Sequence, residues 1–145
     1  MATPQRLLDT TPSSYTCENA GLTRQSFDGF SGTYRVGEIF ISRHTLAKTF
    51  GYPTHPDDHK VNFEWSLVFT NTQHPPAQKF VTIYDWKAPI NNARDPMWWS
   101  IGGHDSIAPL YLWEYLSHAG HRITVRETTV SGQIASTKLI HDPRI

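Results

Sequence analysis

VNFEWSLVF, residues 61–69, is the stretch of sequence that decides the fold. Its odd-numbered positions are all apolar, and its even-numbered positions are polar except for Val68. Successive side chains of a β-strand point to opposite faces of the sheet, so this alternation predicts a strand with one buried face.

The segments around this strand predict an antiparallel sheet. Lys79 to Lys87 is apolar on both faces, which indicates a central or covered strand. The loop between the two strands, residues 70–78, contains Pro75-Pro76, which cannot extend a strand. Further strands are predicted over Tyr34 to Ile41 and in a hairpin over residues 122–130 and 133–140.

Two helices complete the predicted architecture. Ser42 can cap a helix that ends at Gly51, and a longer helix is predicted from Asp105 to Ala119. The resulting order, β-α-β-β-α-β-β, predicts an α+β fold, a mainly antiparallel sheet with two helices packed on one face. Residues 88–104 are expected to form a loop.

Length and composition predict a single domain preceded by an N-terminal arm. Its 145 residues match the usual size of a single domain, and no internal repeat is visible. Residues 1–26 are rich in Thr, Ser and Pro and are expected to form a flexible N-terminal arm, so that residues 27–145 form the single α+β domain.

Composition and charge indicate which classes of partner the protein is expected to bind. The chain has 13 basic and 13 acidic residues, whereas a protein that binds nucleic acid usually has a basic excess, so no nucleic-acid partner is expected. A near-neutral protein resists association less, which favours a homo-oligomer. Residues 1–9 contain no apolar core long enough for a signal peptide, no apolar run reaches about 18–20 residues, and there is a single cysteine. The sequence therefore predicts a cytoplasmic protein without a membrane partner.

Several short motifs occur in a recognisable order between residues 30 and 103. They are Phe50-Gly51-Tyr52-Pro53, Lys60-Val61, Glu64-Trp65, Thr82-Ile83-Tyr84-Asp85-Trp86-Lys87 and Trp99-Ser100-Ile101-Gly102-Gly103. With these motifs, about half of the chain resembles a family of small proteins encoded by bacteriophages and other large DNA viruses. The resemblance implies a viral accessory role, in the cytoplasm of a host cell, and implies nothing about catalysis.

Aromatic and basic residues are concentrated between residues 86 and 104. Flat aromatic rings beside Arg and Lys suit a planar anion such as a nucleotide, because the rings stack on a base and the cations bind phosphate. The predicted ligand-binding residues are Trp86, Lys87, Arg94, Trp98, Trp99 and His104. The same residues could instead fill the core beneath a loop or form a contact with another protein.

A second cluster contains His55, Asp57, Asp58 and His59, side chains of the types that bind divalent metals. Pro56 and the two aspartates also favour a solvated turn, which is the preferred interpretation. No cofactor is expected.

Catalytic candidates are few. Cys17 falls in the predicted arm, without a partner that could activate it, and Glu64 and Asp85 could form a carboxylate pair on neighbouring strands. No catalytic triad, metal signature or phosphate-binding loop is present.

The sequence therefore favours a non-enzymatic accessory protein that engages a host protein or sequesters a nucleotide-like ligand. The alternatives are a small enzyme acting on a nucleotide or phosphate ester, and a structural component of a viral particle or larger assembly.

Overall fold

A computed structural model describes residues 15–23, 28–71, 77–128 and 134–139. The strands in these ranges form one antiparallel sheet of seven strands, in the order β1-β3-β4-β5-β2-β6-β7. The strands are β1 (Tyr15–Asn19), β2 (Tyr34–Ser42), β3 (Glu64–Asn71), β4 (Gln78–Tyr84), β5 (Pro96–Gly103), β6 (Thr124–Thr128) and β7 (Ile134–Leu139). The helices are α1 (Ala20–Thr23), α2 (Arg43–Phe50) and α3 (Ala108–His118), with a 3-10 turn at Asp28–Phe30.

The predicted α+β class is confirmed. β3 shows the expected alternation, because Trp65, Leu67 and Phe69 are each at most 1% exposed and lie on one face. The register continues this face into the next strands, with Trp65 opposite Ile83 and Ile83 opposite Ile101. The sheet therefore presents a continuous apolar surface across its centre.

Helices α2 and α3 cover this apolar face. Leu46 of α2 and Leu112 of α3 belong to the same buried cluster as the strand residues. The cap of α2 is as predicted, since Ser42 Oγ accepts a hydrogen bond of 3.1 Å from Thr45 N. The predicted terminus of α2 is also confirmed, because Gly51 follows the helix with a φ of 89°, a value that favours glycine.

Part of the predicted arm belongs to the sheet. Residues 15–19 form edge strand β1, in which Cys17 lies opposite Phe69, so the boundary predicted at residue 26 is corrected to residue 15 or earlier. Asn19 fixes this segment because its Nδ2 donates to the carbonyl oxygens of Phe50 and Tyr52, at 2.9 and 3.0 Å. The remainder of the predicted arm, residues 1–14 and 24–26, lies outside the described residues.

The loop predicted over residues 88–104 contains a strand. β5 lies between β4 and β2 in the middle of the sheet. Pro96 is tolerated because it is the first residue of the strand, where a missing N–H costs least. Gly102 is required by a close approach, since a Cβ at this position would collide with Thr82 Oγ1 on β4. Among the described residues, no helix is long and apolar enough to cross a membrane.

We expect replacement by phenylalanine to destabilise the protein much more at Trp99 than at the adjacent Trp98. Trp99 is 1% exposed and its Nε1 donates to Ile41 O at 3.0 Å, so Trp99→Phe leaves a cavity and an unpaired carbonyl. Urea unfolding should show a loss of about 2–3 kcal/mol in the free energy of unfolding. Trp98→Phe should cost about 1 kcal/mol or less, because its ring is half-buried and mainly loses a cation–π contact. Equal losses would contradict the assignment of these two rings to opposite faces.

Candidate functional site

The six residues predicted to bind a ligand do not form one surface. Trp86 and Lys87 follow β4, Arg94 precedes β5, and His104 follows the other end of β5. A strand advances about 3.3 Å per residue, so the two ends of the eight-residue β5 are roughly 23 Å apart, with Arg94 before one end and His104 after the other. Trp99 is a core residue, and its ring packs edge-on against Trp65 with centroids 5.4 Å apart. For Trp99, the core interpretation holds.

Trp98 lies on the sheet face opposite the helices. The Arg126 guanidinium carbon is 3.6 Å from the centroid of its ring, and Arg126 Nε donates to Glu38 at 2.7 Å. Glu38 also pairs with Arg35 at 2.8 Å. Trp98 is therefore covered by a cation that is itself held by a neighbouring carboxylate, which leaves this ring a poor platform for an anion.

His104 has a structural partner at the far end of the sheet. Its Nε2 contacts the carbonyl oxygen of Gly29, and its own carbonyl oxygen accepts a hydrogen bond of 3.0 Å from Tyr34 Oη. The next residue, Asp105, pairs with Lys79 at 2.9 Å. These contacts join the 3-10 turn to the sheet, and the carboxylate beside His104 makes this end unfavourable for an anion.

The proposed metal cluster forms a turn. His55 Nδ1 donates to Asn62 O at 3.0 Å, and Asp58 Oδ1 accepts from Lys60 N at 2.9 Å. Within the described ranges, no group of three His, Cys, Asp or Glu side chains is placed to hold a metal ion. The hydrogen bonds of His55 and Asp58 are those of a turn, which fits the preferred interpretation of the segment that also contains Asp57 and His59.

The two carboxylates considered for catalysis have different surroundings. Both oxygens of Asp85 accept hydrogen bonds from the turn before β3, whereas Glu64 lies opposite Tyr84. Burial, with a smaller contribution from the nearby Asp58 carboxylate, raises the pKa of Glu64. Burial also raises the pKa of the Cys17 thiol to about 12, so this thiol is protonated at neutral pH and is not an activated nucleophile.

Trp86 and Lys87 do form a surface, together with a residue that the sequence did not indicate. The Trp86 ring is 45% exposed, and the Nζ atoms of Lys60 and Lys87 each lie 5.5 Å from its centroid. We call these three residues the lysine–tryptophan platform. Both lysines also line an open groove of about 530 Å³, together with His59, Ala88 and Pro89. The exposed Trp86 ring thus lies beside two cations, and those two cations border an open groove.

Backbone contacts bring the two lysines together. Lys87 N donates to Lys60 O at 2.7 Å, which joins the turn before β3 to the turn after β4. Lys87 has a φ of 54°, a conformation that few residues other than glycine, asparagine and aspartate adopt. A strained residue persists only where surrounding contacts hold it, so the position of Lys87 depends on this connection.

Asp85 holds the same two turns from inside. It is 2% exposed, and its Oδ1 accepts hydrogen bonds from Asn62 N at 2.8 Å and from Phe63 N at 2.9 Å. Its Oδ2 accepts from Asn62 Nδ2 at 3.1 Å. One carboxylate therefore satisfies three donors of the first turn while its backbone belongs to the second.

The segment after the platform is braced as well. Asn62 Nδ2 also donates to Ala88 O at 3.3 Å, and Arg43 Nη2 donates to Asn91 O at 2.9 Å. The Arg43 guanidinium lies 4.5 Å from the centroid of the Phe63 ring. Helix α2 and the first turn thereby restrain the chain that forms one wall of the groove.

Protein-family models, curated proteins and solved structures were compared with this chain, and none of them matches it. The resemblance to small viral proteins stays an expectation from the sequence motifs.

We expect Asp85→Ala to destabilise the protein by about 2–3 kcal/mol, because it leaves the part-buried N–H groups of Asn62 and Phe63 without their acceptor and removes one of the two hydrogen bonds of the Asn62 amide. Chemical denaturation measures this change. Asp57→Ala is the matched control, since Asp57 is an exposed aspartate of the same turn and should change stability by less than about 0.5 kcal/mol. Similar stability of the two variants would show that Asp85 does not hold the turns.

Proposed function

We propose that this protein is a non-enzymatic binding protein that takes up a small planar anion, such as a nucleotide, at the lysine–tryptophan platform. The observation that carries the proposal is an exposed indole ring with two ammonium groups 5.5 Å from its centroid. The viral setting and a host-protein partner belong to the same proposal, on the basis of the sequence motifs.

The two parts of the platform suit the two parts of such a ligand. Stacking of a base on an aromatic ring contributes about 1–3 kcal/mol and does not depend strongly on which base is bound. Lysine ammonium groups attract phosphate as compact charges. A ligand that stacks on Trp86 therefore places its phosphate within reach of Lys60 and Lys87 in the groove.

The two lysines carry charge that no carboxylate of the described residues neutralises. The ion pairs within the described residues join Arg35 and Arg126 to Glu38, and Lys79 to Asp105. Neither Lys60 nor Lys87 takes part in them. Because both ammonium groups lie 5.5 Å from the centroid of the same ring, an anion bound beside that ring is attracted by both.

The residues of the platform favour recognition over turnover. The groove is lined by two lysines, one histidine, one alanine and one proline, so His59 could serve as a general base, but this lining includes no hydroxyl, thiol or carboxylate nucleophile. The nearest buried carboxylate, Asp85, is occupied by hydrogen bonds to Asn62 and Phe63. Sequestration of a ligand fits this lining better than chemical conversion does.

We expect isothermal titration calorimetry with adenosine monophosphate to show binding that depends on both parts of the platform. Trp86→Ala should weaken binding by roughly fivefold to 150-fold, the equivalent of about 1–3 kcal/mol of stacking. The double variant Lys60→Ala/Lys87→Ala should weaken it by about tenfold and reduce its dependence on salt.

Matched controls come from exposed residues outside the platform. Tyr52→Ala removes a ring that is 78% exposed, and Lys48→Ala removes an exposed lysine of α2. Both controls should bind as the unaltered protein does. Equal binding by the platform variants, or equal weakening by the controls, would contradict the proposal.

A further inference from the structure

A second cavity, separate from the platform but at the same end of the sheet, is lined by basic side chains. Its volume is about 290 Å³. Three basic side chains and two hydroxyl groups line it, contributed by Arg94, His121, Arg122, Ser42 and Thr45. Phe40, Ile41, Pro96 and Ile123 complete the lining and give it an apolar wall. We call this cavity the arginine pocket.

The sheet register explains why residues so distant in sequence meet here. Ser42, the last residue of β2, lies opposite Pro96, the first residue of β5. On the other side of β2, Phe40 lies opposite Thr124, the first residue of β6. The end of one strand and the starts of its two neighbours therefore bring residues 42–45, 94–96 and 121–123 to one place.

Hydrogen bonds fix the turn that carries Arg94. Arg94 N donates to Asn92 Oδ1 at 2.9 Å, and Asp95 N donates to Asn92 O at 3.0 Å. Ala93 O accepts a hydrogen bond of 2.8 Å from His44 N, in the first turn of α2. The turn is therefore tied to α2, and the backbone position of Arg94 is set before any ligand arrives.

The histidine is fixed from the opposite side. Gly120 has a φ of 90° and ends α3, after which His121 N donates to Leu116 O at 3.1 Å. The His121 Nε2 atom lies 3.4 Å from Thr49 Oγ1 of α2. Arg122 follows directly and is exposed at the rim of the pocket.

The lining has cations and hydroxyl groups but no carboxylate. Two guanidinium groups present planar sets of N–H donors, which match the oxygens of a phosphate group. Ser42 Oγ donates to Thr45 Oγ1 at 2.8 Å, so the Thr45 hydroxyl is the one that can donate to a ligand. We propose that the arginine pocket binds a phosphate group, either as inorganic phosphate or at the end of a small phosphate ester. Phe40, whose ring is partly exposed, belongs to the apolar wall of the pocket, which could contact the carbon portion of an ester.

This site is independent of the lysine–tryptophan platform because the two share no residue. Its occupant differs too, since the arginine pocket requires a phosphate group and no stacked base. Either site can therefore fail a test without affecting the other.

Calorimetric titration of the full chain with inorganic phosphate, at constant ionic strength, tests the proposal. The unaltered protein should bind phosphate, and Arg94→Ala/Arg122→Ala should weaken binding by about tenfold or more. Lys48→Ala is the matched control, because it removes an exposed cation of α2 that lines neither the arginine pocket nor the platform groove and should leave phosphate binding unchanged. Absence of phosphate binding by the unaltered protein, or equal weakening by Lys48→Ala and by the double arginine variant, would overturn the proposal.

Two further comparisons sharpen the test. Arg94→Lys/Arg122→Lys keeps both charges and removes the planar donor sets, so intermediate binding is expected if the guanidinium geometry matters, and this variant serves if the alanine variant does not fold. Titration with glycerol phosphate separates the two sources of the ligand. Tighter binding of the ester indicates use of the apolar wall, equal binding indicates inorganic phosphate as the ligand, and weak binding of both would contradict the phosphate assignment.

Discussion

The buried carboxylate of Asp85 is the interaction on which the proposed binding surface depends. A carboxylate removed from water is costly unless hydrogen bonds replace its hydration, and Asp85 receives these bonds from Asn62 and Phe63. Because Asp85 directly follows β4 and its donors directly precede β3, the two turns at this end of the sheet are held together. Lys87 N and Lys60 O then complete the connection, which places both lysines beside Trp86. A residue considered as a catalytic carboxylate thus holds the lysine–tryptophan platform in place.

The elements that follow one simple pattern could be predicted from the sequence. α2 has a serine cap and a terminal glycine and matches its predicted limits. β3 has the predicted alternation, but it begins three residues and ends two residues later than predicted, at Glu64 and Asn71. β5 was missed because Pro96 and the pair Gly102-Gly103 are typical of loops, and only the neighbouring strands show why they are tolerated. Pro96 stands at the start of the strand, and Gly102 makes room for Thr82. β1 was missed because its residues are mostly polar and acquire a defined structure only by pairing with β3.

The lysine–tryptophan platform could be predicted only in part from the sequence. Trp86 and Lys87 were identified because they are adjacent in sequence, and they are adjacent in space for the same reason. Lys60 could not be assigned, since its distance from Trp86 depends on a contact across 27 residues, between Lys87 N and Lys60 O. Trp98 and Trp99 look equivalent in sequence, but a strand sends neighbouring side chains to opposite faces, so only one of them lies in the core. The arginine pocket brings together segments that carry no common sequence pattern, which is why only the register of β2 with β5 and β6 reveals it.

The most direct test of the central claim is a nuclear magnetic resonance titration that follows the indole N–H signals of the five tryptophans. With adenosine monophosphate as the ligand, the account predicts that the Trp86 signal shifts progressively and saturates, whereas the signals of Trp65 and Trp99 stay in place because both rings are buried. Assignment by Trp86→Phe identifies the signal. An unmoved Trp86 signal at millimolar ligand, or equal shifts of all five signals, would contradict binding at the lysine–tryptophan platform.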